Sequence, residues 1–347
     1  MPPRRPPRRN NPSTRRPPRR NNEDGESTSL EKKIEKSLKG LIKLTEEEFQ
    51  ICKAEGILLG EGNFGKVYQV EYQYEDYAMK VYQDRDKPQW EVERNILSMI
   101  QHKNVVKIYG YSEGKEENSL LIELLASNVH EKLGEIYTQP WTTCVQMFKE
   151  IAQGIKGIND AGFVIGDLKF QNMMFNMRDE VKIIDLGGAN TIGEKITILT
   201  EGYCPPEFRN GVAHHNSDVY SLGVLILQVI MKKTEEDIGT TPVKATFDKN
   251  QHITRDAKNK GGKSNEGGKS LVDKEWTAQG CSKTSAKKIS SLAMKCTEFS
   301  ENRRATIDET DAKKISSLAM KCTKFFGNSR PTIDEAGSRK EGIASEK

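Results

Sequence analysis

Two short stretches in the middle of the chain decide its fold. Residues 165–172 read IGDLKFQN, and residues 183–187 read IIDLG. Phosphoryl transfer needs a carboxylate that accepts the proton of the attacking hydroxyl, oxygen ligands that hold Mg²⁺, and positive charge beside the transferred group. The acidic, amide and basic residues of the two stretches match these needs and indicate phosphoryl-transfer chemistry.

Four side chains in these stretches are the candidates. Asp167 is the expected proton acceptor, and Lys169 is expected to neutralise charge on the phosphoryl group. Asn172 and Asp185 are the expected metal ligands. Taken alone, the first stretch could be a surface turn and the second the end of a helix or strand. Their joint occurrence, downstream of a lysine-bearing strand, favours the catalytic interpretation.

A glycine-rich segment lies upstream, where residues 59–67 read LGEGNFGKV. Glycines let backbone amides approach a triphosphate because no Cβ stands in the way. The same glycine spacing marks dinucleotide-binding folds, but there the loop opens a helix. Residues 66–72 instead continue as a strand with alternating side chains. The pattern therefore predicts a strand–loop–strand cover over phosphates.

A lysine lies inside the apolar stretch YAMKV at residues 77–81. An isolated lysine in a strand usually extends its ammonium to solvent, but a buried one needs an anion. Glu93, in a helix predicted over residues 90–101, could supply that anion to Lys80. At about 4 Å and an effective dielectric of about 20, such a pair attracts by about 4 kcal/mol before desolvation. The pair would act as a positioning clamp.

Together these motifs resemble the eukaryotic-type protein kinase domain, over residues from about 53 to 233. Lys169 and Thr200 resemble the serine/threonine subgroup, and the lobes resemble plant-type receptor-like kinases. The resemblance implies an α+β, bilobal protein kinase-like fold, with a small antiparallel β-rich N-lobe carrying one main helix and a larger helical C-lobe. It also implies ATP with Mg²⁺ or Mn²⁺, and protein substrates.

The same resemblance assigns the nucleotide site. Ile122 would be the gatekeeper before a hinge at residues 123–125, Lys80 and Glu93 would form an ion pair, and Asp167 would accept the proton. The residues expected to bind the nucleotide are Leu59, Gly60, Glu61, Gly62, Asn63, Phe64, Gly65, Lys66, Val67, Ala78, Lys80, Glu123 and Leu125.

Residues 200–207 look like the end of an activation segment, with Pro205 where the family usually has alanine. Thr191 and Thr197 are candidate phosphorylation sites within that segment. Residues 217–223 resemble the start of a buried helix that anchors the catalytic loop.

The family also implies a late arginine that pairs with Glu207. Arg304 and Arg330 fit equally by local context.

The catalytic loop departs from the family, which has His-Arg-Asp where this chain has Ile165-Gly166-Asp167. Losing the arginine removes the usual docking cation for a phosphorylated activation loop. Phe170 replaces the usual proline and Leu186 the usual phenylalanine. Two hypotheses follow: an active kinase in signal transduction, or a catalytically impaired pseudokinase that acts as a nucleotide-binding or interaction scaffold. The complete set of ATP and metal ligands favours the first.

Composition divides the chain into segments. A near-identical repeat with an offset of 26 residues joins Ala286–Glu309 to Ala312–Glu335, and we interpret it as a local duplication. The expected divisions are a disordered Arg/Pro-rich arm (1–28), a lead-in (29–52), the N-lobe (53–125), the C-lobe (126–335) with a flexible polar insertion (249–284), and a disordered tail (336–347).

Charge is concentrated at one end. The net charge is +4, yet residues 1–20 carry eight arginines and no acid. Such an arm could bind nucleic acid or an anionic membrane surface or act as a nuclear address, although most basic tails are simply solvated.

Six widely spaced cysteines without a C-x-x-C pair favour a reducing compartment. No apolar run reaches the roughly 20 residues that span a bilayer. We therefore expect a cytoplasmic protein without a transmembrane segment, with nuclear or peripheral membrane location as alternatives. An upstream signalling protein is a further expected partner.

Overall fold

A six-stranded sheet and three helices form the first lobe. The computed structural model describes residues 29–62, 65–196, 200, 203, 212–214, 217–232 and 271–296. The elements of this lobe are α1 (Ser29–Leu38), β1 (Ile42–Lys43), α2 (Glu46–Glu55), β2 (Ile57–Gly62), β3 (Gly65–Tyr72), β4 (Glu75–Gln83), α3 (Lys87–Met99), β5 (Ile108–Glu113) and β6 (Glu117–Glu123). The strand order is β1-β5-β6-β4-β3-β2, and only the β1–β5 pair is parallel.

Strand β4 separates two packing layers. Side chains alternate between the faces of a strand. Met79 is therefore buried with Phe49 of α2 on one face of the sheet. Tyr82 is buried with Trp90 of α3 on the other face. Both layers belong to the lobe that carries the glycine-rich loop.

The packed lobe begins earlier than the expected start near Lys53. Leu44, Phe49 and Cys52 are buried, and α1 contacts α3. A capping box fixes the start of α2, since Thr45 and Glu48 exchange side-chain and backbone hydrogen bonds. The lead-in segment from residue 29 onward thus contributes helices, a strand and core residues to the first lobe.

The second lobe is largely helical. Its elements are β7 (Ser127–Asn128), α4 (Leu133–Ile136), α5 (Trp141–Asp160), β8 (Phe163–Val164), β9 (Met173–Phe175), β10 (Val181–Ile183), β11 (Asn190–Thr191), α6 (Ser217–Ile230), α7 (Glu275–Ala278) and α8 (Lys283–Cys296). The strands pair in the orders β10-β9-β7 and β11-β8. Every residue of α6 except Tyr220 is buried, which confirms the helix predicted there. The two lobes confirm the expected bilobal α+β fold.

Residues 271–284, which we assigned to a flexible insertion, instead include helix α7 and the start of α8 and contribute two buried side chains, Trp276 and Cys281. Trp276 is fully buried, contacts Trp141 edge to face at 5.4 Å between ring centroids, and donates its indole N–H to the Val229 carbonyl at 3.2 Å. A large aromatic buried in this way belongs to the core.

Several predictions concern residues outside the described part of the chain. They are the arm, residues 249–270, the second repeat copy, the tail, Asn63, Phe64, Thr197, Pro205, Glu207, Arg304 and Arg330. Among the described helices, none is long and apolar enough to cross a membrane.

Candidate active site

Lys80 is the centre of a buried charge cluster. Its ammonium lies 2.8 Å from Glu93 Oε2 and 2.8 Å from Asp185 Oδ1. The Lys80 side chain is 13% exposed and that of Glu93 is fully buried. The predicted Lys80–Glu93 pair is therefore present, and the chain fold adds a carboxylate from 105 residues further along.

Lys80 and Asp185 keep their charges at neutral pH. Burial alone lowers the pKa of Lys80, but the carboxylates of Asp185 and Glu93 outweigh it, so the pKa of Lys80 is raised well above its usual value. Burial raises the pKa of Asp185, yet Lys80 outweighs it and the net shift is downward. The Lys80 ammonium is thus a fixed positive charge, of the kind that forms strong hydrogen bonds to anionic oxygens.

Asp185 itself has a left-handed backbone, with φ +61°. Such a conformation costs a non-glycine residue about 1–3 kcal/mol and persists where surrounding contacts enforce it. Here the amide of Gly187 donates to the Asp185 carboxylate, and the preceding amide of Ile184 donates to the Asn172 carbonyl at 2.9 Å. The strained residue therefore connects Lys80 to the catalytic loop.

A second cluster surrounds Asp167. Lys169 Nζ lies 2.8 Å from Asp167 Oδ2, and Asn172 Nδ2 donates to the Asp167 carbonyl at 3.0 Å and to Oδ2 at 3.3 Å. Thr200 donates its hydroxyl to Asp167 Oδ1 and accepts from Lys169 at 3.0 Å. Asp167, Lys169 and Thr200, which we singled out from the sequence, are thus in mutual contact.

The predicted metal ligands offer suitable donors. Asn172 uses its amide nitrogen toward Asp167, which leaves the amide oxygen for another partner. Asp185 uses Oδ1 toward Lys80 and is 27% exposed. Carboxylate and amide oxygens are ligands that Mg²⁺ and Mn²⁺ accept. The residues present therefore fit a divalent cation.

Asp218, at the start of α6, anchors the backbone of the loop that precedes Asp167. Its carboxylate accepts the amides of Ile165 at 2.9 Å and Gly166 at 3.0 Å, and the side-chain amide of Asn159 at 3.3 Å. Burial raises the pKa of Asp218 to about 6, although these hydrogen bonds oppose the rise. We predicted that the helix starting at residues 217–223 anchors the loop but gave Asp218 no role of its own; an acid in the first turn of an otherwise apolar helix was the available signal.

Gly166 has φ +77°. Glycine adopts this left-handed region without the cost that a Cβ adds. The glycine that replaces the family arginine therefore suits the backbone of the anchored loop.

The expected nucleotide-lining residues divide into two groups. Ala78 pairs with Ile122 across β4 and β6, and both are buried, as is Leu125. Val67 pairs with Lys80 across β3 and β4. These apolar side chains lie on the core side of the sheet, beside the charge cluster.

The other group faces outward. Leu59 is half exposed, and Glu61 lies 4.0 Å from Lys66 on the surface. Glu123 of the expected hinge is an exception, because its side chain is 22% exposed and pairs with the buried Lys182 at 2.7 Å.

A cavity of about 700 Å³ lies beside the β2–β3 hairpin, and its lining includes Gly62, Gly65 and Lys66. Lys80, Asp167 and Asp185 do not line it. The two charge clusters, and not this cavity, therefore form the candidate active site.

Two partly exposed apolar residues that follow or precede the candidate metal ligands in the sequence were not singled out. Met174 and Ile184 are partly exposed and pack against the same core as Ala78. Met174 lies two residues after Asn172, and Ile184 lies one residue before Asp185. This closeness in sequence to the candidate metal ligands was the signal that could have identified them.

Comparison with known proteins identifies the family. A family profile described as protein kinase domain matches residues 54–336. The chain is 28% identical over 201 residues to a probable receptor-like protein kinase, 30% over 194 residues to the probable serine/threonine-protein kinase PBL25, and 30% over 224 residues to chitin elicitor receptor kinase 1, all of Arabidopsis thaliana.

These alignments cover 51%, 50% and 59% of this chain, and 59%, 51% and 34% of the three relatives. The chain thus spans only part of their lengths. The profile covers well over half of the chain, including Lys80, Asp167 and Asp185. The chain therefore belongs to the protein kinase domain family.

Proposed function

We propose that this protein transfers the γ-phosphate of ATP to serine or threonine hydroxyls of protein substrates, in signal transduction. The observation that carries the proposal is the pair of adjacent clusters, Lys80–Glu93–Asp185 and Asp167–Lys169–Thr200. The names of two relatives, a receptor-like protein kinase and a serine/threonine-protein kinase, support the reaction class. For location we propose the cytoplasm.

The reaction divides between the clusters. Asp167 accepts the proton of the substrate hydroxyl while the oxygen of that hydroxyl forms a bond to the γ-phosphorus. The bond between the γ-phosphorus and the oxygen that bridges it to the β-phosphorus breaks, and ADP is released. Lys169 neutralises charge on the transferred group, and Lys80, held by Glu93, orients the remaining phosphates. A divalent cation held by Asn172 and Asp185 would neutralise further phosphate charge.

The scaffold hypothesis depends on the altered loop before Asp167. Ile165 is buried and fills the position of the family histidine, and its amide and that of Gly166 are both held by Asp218. The loop backbone is therefore fixed without the arginine. This favours the active kinase over the pseudokinase.

Transfer of radiolabelled phosphate from ATP, with Mg²⁺ or Mn²⁺, tests the proposal. We expect label on the protein or on a generic basic protein substrate, and none with Asp185→Asn, because that variant loses a metal ligand and the Lys80 partner. A nucleotide-induced thermal shift checks that the wild type is folded and binds. Folded, nucleotide-binding protein that transfers no label would instead support the scaffold.

A further inference from the structure

Tyr82 lies two residues after Lys80 on β4 and therefore points to the same face of the sheet. It is fully buried, and its hydroxyl donates to Glu93 Oε2, the same oxygen that contacts Lys80. The Lys80 ammonium also lies 5.0 Å from the centroid of the Tyr82 ring. A tyrosine is thus built into the charge cluster, although we did not identify it from the sequence.

Glu93 needs this donor. Its carboxylate is fully buried, and a buried carboxylate is costly unless hydrogen bonds replace water. Within the described part of the chain, its other oxygen, Oε1, has no hydrogen-bond partner. The Lys80 ammonium contacts both Glu93 and Asp185, whereas the Tyr82 hydroxyl donates to Glu93. The tyrosine would therefore still hold Glu93 when Lys80 turns toward phosphate oxygens.

The hydroxyl remains a donor at neutral pH. Burial, reinforced by the negative charge of Glu93, raises the pKa of Tyr82 well above its usual value. An ionised phenolate beside Glu93 would only accept hydrogen bonds, so the protonated form is the one that can hold the carboxylate.

Helix α3 has a separate anchor. The indole N–H of Trp90 donates to the Ser119 carbonyl at 3.0 Å, one turn before Glu93. Trp90 fixes where the helix lies, whereas Tyr82 contacts the functional carboxylate itself. Loss of the Tyr82 hydroxyl should therefore leave the helix folded.

We propose that Tyr82 is a positioning residue whose hydroxyl holds Glu93 inward, so that Glu93 can direct Lys80 onto the phosphates of the nucleotide. The inference rests on the proposed function and extends it to a side chain that does not touch the substrate. The competing explanation is that the hydroxyl merely satisfies a buried acid and contributes only to stability.

Tyr82→Phe tests the proposal, because it removes the hydroxyl and retains the ring. Tyr72→Phe is the matched control: Tyr72 donates to Glu48 Oε1 at 3.0 Å, near the other end of the same sheet. We expect Tyr82→Phe to lower kcat/KM for ATP by about tenfold, the scale of one hydrogen bond to a charged group. We expect the KM for the protein substrate to be unchanged, and the control to stay within about twofold.

Glu93→Gln and the double variant show whether the hydroxyl acts through the carboxylate. If it does, Tyr82→Phe has little further effect on kcat/KM for ATP in the Glu93→Gln background. Independent effects that multiply would overturn the proposal, and so would a Tyr82→Phe variant that is less stable but fully active. Thermal unfolding of the wild type and of the four variants, Tyr82→Phe, Tyr72→Phe, Glu93→Gln and the double variant, separates activity from folding.

The affinity for Mg-ATP, measured by calorimetry on the same proteins, separates this inference from the proposed function. A wild type that binds Mg-ATP but transfers no phosphate contradicts the proposed function alone. The inference then still requires weaker binding for Tyr82→Phe than for Tyr72→Phe, and equal affinities would overturn it. A wild type that does not bind Mg-ATP at all overturns both.

Discussion

At the scale of single residues, Asp218 is a buried acid that the fold uses as an acceptor. It receives two backbone amides of the catalytic loop and one side-chain amide, yet burial still raises its pKa to about 6. The protonated form is thus easier to bury than the charged form. Stability of the loop should consequently depend on pH through this one carboxyl.

Asp218→Asn tests that dependence. The raised pKa means that the folded state binds the proton more tightly, so the stabilisation is present below the ordinary value of 3.8 and is lost as the pH rises through about 6. Between about pH 4.5 and about pH 7 we expect the wild type to lose about 2 kcal/mol more free energy of unfolding than Asp218→Asn.

Urea unfolding of both proteins at each pH provides the measurement. The subtraction removes other titrating groups that the two proteins share. The variant should also be less stable at every pH, because its NH₂ group would face a backbone amide donor. Parallel pH dependence in the two proteins would contradict the assignment.

At the scale of elements, the β2–β3 hairpin shows how a glycine loop is constrained. A Cβ on Gly65 would lie 1.9 Å from the Val81 carbonyl oxygen, and the residue has φ +143°. A Cβ on Gly60 would meet no heavy atom within 4 Å. The last glycine of the loop is therefore required by the neighbouring strand, and not only by a nucleotide.

Gly65→Ala should accordingly destabilise the protein even without nucleotide. We expect a loss of about 1–3 kcal/mol in the free energy of unfolding, because strand β3 must move away from β4. Gly60→Ala, the matched control, should change it by less than about 1 kcal/mol. Chemical unfolding without ATP measures both, and an equally stable Gly65→Ala would show that the hairpin relaxes freely.

At the scale of the whole molecule, the two lobes are joined directly ahead of the active site. Asn104 Nδ2 donates to the Val181 carbonyl at 2.8 Å, and the Val106 amide donates to the Ile183 carbonyl at 2.9 Å. These contacts connect the segment after α3 to β10, which leads into Asp185. The position of the first lobe is thereby coupled to the candidate metal site.

The packing of α5 in the second lobe depends on residues 271–284. Trp276 fills the space beside Trp141, so Trp276→Ala should lower the free energy of unfolding by about 3–5 kcal/mol. Its neighbour Glu275 is 75% exposed and pairs with Lys232, so Glu275→Ala should cost less than about 1 kcal/mol. Calorimetric unfolding compares the two, and a small effect of Trp276→Ala would mean that residues 271–284 are dispensable.

Much of the site could be read from the sequence because its parts are local. Asp167, Lys169 and Asn172 lie in one short loop, so chain connectivity alone brings them together. Lys80 and Glu93 lie on a strand and on the helix that follows it, a connection too short to separate them. For the same reason, the apolar stripe at helical spacing over residues 141–160 is enough to predict helix α5, because it is a property of the segment itself.

Only the tertiary structure decided the contacts between distant segments. The bonds of Thr200 to Asp167, of Asp218 to Ile165 and of Lys80 to Asp185 join residues 33, 53 and 105 positions apart. The burial of Trp276 likewise depends on α5 and α6. Because the residues around Trp276 are mostly polar, the sequence placed it in an insertion. Local composition reports whether a segment can be buried, but which surfaces meet is a property of the packed chain, and the Tyr82 contact with Glu93 exists only there.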